Sequence, residues 1–139
     1  MSRDYANFPA AAKRPFRAVA DALGYEQLIP TVYAKARDGW HESFNLQVSP
    51  GTDAFYVNYG LTVTQLCPVG EDQSILTCGH LLGSRLRDAD GTGAFPRGTR
   101  QDIAASAERV VEQYRLQAMP WFASMGSWQA MADEYLRVN

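Results

Sequence analysis

FNLQVSPGTDAFYVNYGLTV, residues Phe44 to Val63, alternates, turns and alternates again. Residues of a strand point to opposite faces in turn, so this stretch predicts two antiparallel strands of a hairpin. Phe44, Leu46 and Val48 share one side of the first arm, in phase with Trp40. Phe55, Val57, Tyr59, Leu61 and Val63 share one side of the second. Buried at roughly 1.5–3 kcal/mol each, these nine side chains offer on the order of 15–25 kcal/mol of gross stabilisation. Slipping the register by one residue would turn all of them to water. The opposite side carries Asn45, Gln47, Tyr56, Asn58 and Thr62, and demands a different explanation.

Working outward, Thr31 to Arg37 reads as a strand. Val32, Ala34 and Ala36 lie on one side of it, and Tyr33, Lys35 and Arg37 on the other. Asp38-Gly39 suits a tight turn into Trp40 to Ser49. Pro50 and Gly51 mark the next turn, into a strand from Ala54 to Leu66. A fourth strand fits Ile75 to Leu82, with an extension toward Leu86. Gly79 and Gly83 within it suggest a bulge or a close approach.

Helices flank the strands. Ala10 to Ala12, Phe16, Val19, Ala20 and Leu23 repeat at helical spacing, and Gly24 stands where a C-cap belongs. That helix starts near Pro9, with an irregularity expected at Pro15. Thr99 is an N-cap, with Asp102 as its capping-box partner. Ile103, Ala107, Val110, Val111, Tyr114 and Ala118 then trace one face. Pro120 should end or bend this helix, and Ser127 should cap a last one. Strands grouped between helices predict a single α+β domain over residues 1–139: an antiparallel sheet of about four strands, with the helices on one face.

The 139 residues suffice for one core, and 46% hydrophobic with 20% charged residues is ordinary for a globular chain. A net charge of -2 gives no general attraction to phosphate backbones, so nucleic acid is not an expected partner. No apolar run is long enough to span a bilayer, and the first residues lack a signal-type segment. The expectation is therefore a cytoplasmic protein with no membrane partner. Cys67 and Cys78 are then expected as thiols.

Several groups bear on chemistry. His41 shares the polar side with Asn45 and Gln47, and can serve as a general base in a groove with Tyr33, Tyr56 and Asn58. A surface histidine is the simpler reading. Cys67, Cys78 and His80 make at most three ligands at poor spacing, so no zinc site and no cofactor are expected. Asp88 to Gly93 lacks the ligands of a calcium loop. Arg85, Arg87, Arg97 and Arg100 surround that loop. They can grip an anion with the helix that starts after Thr99, or be offset by Asp88, Asp90 and Asp102. No nucleophile elbow, Walker loop or dinucleotide fingerprint is present, which lowers the odds of an enzyme.

Leu23-Gly24-Tyr25, Asn45-Leu46-Gln47, Val57-Asn58-Tyr59-Gly60 and Pro120-Trp121-Phe122 stand in an order that resembles domain-of-unknown-function family 4304, across nearly the whole chain. That resemblance implies a small bacterial α+β protein and carries over no catalytic residue. Some such families sit beside toxin systems as immunity-type proteins, an analogy at the level of the fold. Two readings follow. One is a non-enzymatic protein-binding module that uses Tyr33, His41, Asn45, Gln47, Tyr56 and Asn58. The other is a small-ligand or anion binder, or an enzyme, that uses His41 or the arginine loop. Self-association as a homodimer through an exposed edge strand is a third possibility.

Overall fold

A computed structural model describes residues 8–48, 51–63 and 80–138. Cys67, Cys78, the end of the Ala54 strand and most of the Ile75 strand lie outside the described residues. Helix α1 (Phe8–Leu23) comes first and runs through Pro15. Strands β1 (Glu26–Ile29), β2 (Val32–Arg37), β3 (Trp40–Val48), β4 (Ala54–Val63), β5 (Leu82–Arg85) and β6 (Phe95–Pro96) follow. The chain then enters α2 (Arg100–Gln113), a π-helical segment (Tyr114–Ala118), α3 (Met119–Ser124) and α4 (Trp128–Val138).

The strands form one antiparallel sheet in the order β1-β2-β3-β4-β5, with β6 also pairing to β4. The α+β architecture expected from the sequence is present, with six strands among the described residues rather than about four. Both extra strands are at the margins. β1 follows the α1 cap and pairs with β2 through an irregular register. β6 is two residues long and contains Pro96.

Register places the ribbon as its alternation predicts. Trp40 pairs with Val63, Phe44 with Tyr59 and Leu46 with Val57. Trp40, Phe44, Leu46, Phe55, Val57, Tyr59 and Leu61 are buried, while Val48, at the ribbon's end, is 37% exposed. The helices cover this side. Phe55 meets Phe8 and Phe16 of α1 at ring-centroid distances of 4.9 and 5.6 Å, and Phe44 meets Tyr114 at 5.5 Å.

Local signals hold at the helix ends. The Tyr25 N–H donates to the Ala20 carbonyl at 2.9 Å, wrapping the end of α1 around Gly24 and delivering Tyr25 to the core. The Thr99 hydroxyl accepts from the Asp102 N–H at 3.0 Å, and the Asp102 carboxylate accepts from the Thr99 N–H at 3.2 Å. Pro120 does not end the helix. A π turn precedes it, with the Met119 N–H reaching back to the Tyr114 carbonyl, and Pro120 then sits in the first turn of α3, where its missing N–H costs least.

Candidate functional site

The side of the sheet away from the helices divides into two zones. Val32, Asn45, Asn58 and Arg85 are register neighbours in one row across β2 to β5, and Gln47 pairs with Tyr56 in the next. At this end Val32 is buried, while Asn45, Tyr56 and Asn58 are half-buried and Gln47 and Arg85 exposed. Toward the other end Ser43, Thr62 and His41 are buried.

In the open zone the side chains brace one another. Asn58 Nδ2 donates to Gln47 Oε1 at 2.9 Å. Arg85 Nε donates to Asn58 Oδ1 at 3.1 Å, and its Nη2 donates to Gln47 Oε1 at 3.1 Å. The guanidinium carbon lies 4.4 Å from the centre of the Tyr56 ring. Stacking and two hydrogen bonds fix a side chain that would otherwise be among the most flexible on a surface. The stem is confined as well, because a Cβ on Gly93 would stand 2.8 Å from Arg85 Cδ. Gln47, Tyr56, Asn58 and Arg85 thus form one ordered, solvent-facing patch, with Asn45 beside it.

Arg85 is the link that strand pattern alone does not supply. In sequence it belongs to the arginine loop, but cross-strand pairing with Asn58 puts it on the sheet. Across the outer-face positions of β2 to β5, the register shows no aspartate or glutamate, and Arg85 is the one lysine or arginine. Its bonding partners are neutral.

The other candidates stand elsewhere. Tyr33 is a correction: it faces the helices, fully buried, stacked on Phe44 at 4.8 Å. Its aromatic ring goes to the core, while Val32 and Ala34 pack with Leu28 and Ile29 on the outer side. His41 does lie on the outer side, but its side chain is fully buried rather than open to solvent. Ser43 Oγ is 2.7 Å from His80 Nε2, the elements of a hydroxyl–base pair, yet Ser43 is itself sealed from solvent. Burial, with His41 close by, lowers His80 to about 4, and burial lowers His41 as well. Both rings are neutral at pH 7.

The structure brings only part of the arginine loop together. Arg97 is a second correction: it is buried and donates to the Ala54 and Thr52 carbonyls, both at 2.8 Å, with the Phe8 ring alongside. These contacts tie the end of β6 to the start of β4, so Arg97 is structural. Arg100 is exposed at the first residue of α2. Arg87 does share an open cleft with Arg85, lined also by Tyr59, Ser84 and Gln117, and its backbone is clamped in both directions by the Gln117 amide at 2.9 and 2.8 Å. The loop's carboxylates are engaged elsewhere. Asp88 pairs bidentately with Arg109 at 2.9 and 3.1 Å, Asp90 folds onto Thr92, and Asp102 caps α2.

Among the described residues, no group of His, Cys, Asp or Glu is placed to hold a metal ion, and no helix is long and apolar enough to cross a membrane. Fold and site together define an α+β protein with a cross-braced polar patch on the outer face of its sheet. Neither a family model, nor a curated protein, nor a solved structure matches the chain.

Proposed function

We infer that the chain is a non-enzymatic protein-binding module whose contact surface is the outer face of the β3–β4 ribbon, with Tyr56 and Arg85 as its anchors. One observation carries the reading: Gln47, Asn58, Tyr56 and Arg85 are locked together on the open face of the sheet. A face ordered before contact loses less entropy on binding. Tyrosine and arginine are also the side chains that most often dominate interface energetics. Because the patch carries a cation with neutral partners, the complementary surface is acidic. Inhibition of a bacterial toxin in the cytoplasm, by analogy with small families that sit beside toxin systems as immunity-type proteins, would be one form of this.

The test is quantitative capture from host extract. Tyr56→Ala with Asn58→Ala should lose the captured partner by at least about tenfold, the equivalent of 1.4 kcal/mol. The thermal unfolding curve should stay close to that of the parent, since both side chains are on the open face. Recovery of the same partner at the same strength would refute the assignment.

A further inference from the structure

Three charged side chains stand on the core-facing side of the sheet. Alternation puts Lys35 and Arg37 of β2 in phase with Tyr33, and Glu42 of β3 in phase with Trp40 and Phe44. A charge in that phase is costly unless it is paired or wet. These three remain partly open to solvent rather than sealed in the core. They line a cavity of about 330 Å3, with Leu23, Met119 and Phe122 as its apolar wall.

Two tyrosines complete the site. Tyr25 arrives from the α1 cap, and Tyr114 is the first residue of the π segment. Their hydroxyls are 2.6 Å apart, and the Tyr25 hydroxyl is 3.4 Å from Glu42 Oε2. When Tyr25 donates to Glu42, the shorter bond must be donated by Tyr114, so a hydroxyl chain ends on the carboxylate. Burial raises both tyrosines far above the ordinary range and keeps them protonated.

The electrostatics are unbalanced. Glu42 faces two cations, Lys35 and Arg37, each at 3.4 Å, and its tyrosine contact is equally long. These are loose by hydrogen-bond standards. Arg37 is otherwise committed, donating to the Met125 carbonyl at 2.6 Å and holding the end of α3 against the sheet. Lys35 is not: its side chain is 40% exposed, and its ammonium lies 5.0 Å from the centre of the Tyr25 ring. The cavity therefore has one surplus positive charge at its rim and a hydrophobic wall behind it.

We propose that this cavity binds a small organic acid, its carboxylate on Lys35 and its apolar body against Leu23, Met119 and Phe122. The volume is at the lower end of small-molecule sites, which run from about 300 to 1,000 Å3. An amine would meet Lys35 and Arg37, so the charge selects an anion. Two departures from regular structure meet here: charges in an apolar phase and a π turn that starts on a lining residue. Such departures concentrate at functional sites. The site is on the helix side of the sheet and stands independently of the outer-face reading.

Backbone amide NMR titrations with benzoate and hexanoate, against benzamide and hexanamide, test it. Both acids should give saturable shifts at Tyr25, Lys35 and Gly126, and should bind at least about tenfold more tightly than their amides. Lys35→Gln, at a half-exposed side chain, should weaken the acids by about tenfold. Ala123→Trp, at the exposed mouth, should abolish their binding. Absence of saturable shifts, equal affinity for acid and amide, or undiminished binding in either variant would overturn the proposal. Partner capture by the outer face should be unchanged in both variants, so the two assignments fail separately.

Discussion

Gly60→Ala is expected to destabilise the protein by about 3 kcal/mol, at the upper end of the range for overpacking. Gly60 pairs with Gly83 across β4 and β5, and the His80 ring lies over it. A Cβ there would run into the Leu82 carbonyl oxygen and stand 2.6 Å from His80 Cγ. Backbone cannot step aside as a side-chain tip can. Relief requires β5 to lift from β4, which costs the hydrogen bonds of that pairing and carries Arg85 away from Asn58 and Gln47. Urea unfolding should show the loss. Hydrogen exchange should show it concentrated at the β4–β5 ladder. A loss below about 0.5 kcal/mol, the scale of an ordinary surface substitution, would mean the two strands do not approach this closely.

Phe55→Ala should cost about 3–5 kcal/mol, as deletions of fully buried aromatic rings do. Phe55 is 0% exposed, and its ring meets Phe8 at 4.9 Å, Phe16 at 5.6 Å and Phe95 at 5.5 Å. It joins α1, β4 and β6, so no single element can collapse into the space it leaves. Small domains hold only about 5–15 kcal/mol in total, and the variant should populate unfolded chain under mild denaturant. Phe55→Leu, which keeps most of the volume, should cost clearly less. If the alanine variant unfolds at the parent's midpoint, the face assignment of β4 is wrong.

The ribbon was legible because two long alternating runs flank strong turn residues, and because the capping chemistry at Thr99 is local. Other features depend on partners distant in sequence. Glu26 to Ile29 shows no alternation and follows directly on the α1 cap, so nothing local marks it as a strand. Phe95–Pro96 is too short to leave a pattern. In β2 the alternation separates Val32, Ala34 and Ala36 from Tyr33, Lys35 and Arg37 without saying which set faces the helices. The large ring of Tyr33 takes the helix side, since it pairs in register with Phe44. Lys35, Arg37 and Glu42 follow Tyr33 and Phe44 to the helix side. That is why the tyrosine-lined cavity was hidden, although Glu42 in the apolar phase was its visible trace. Gln47 and Arg85 are 38 positions apart and meet only because β5 adds to β4.

The most direct test uses two residues of one chemistry on one strand. Tyr56 and Tyr59 lie three positions apart on β4 and face opposite sides of the sheet: Tyr56 half-exposed under Arg85, Tyr59 only 5% exposed beneath the helices. Hydroxyl-radical footprinting of the unmodified protein, read by mass spectrometry, should oxidise Tyr56 readily and spare Tyr59. Oxidation of Tyr59 with protection of Tyr56 would invert the sheet, and the proposed binding face would be buried in the core.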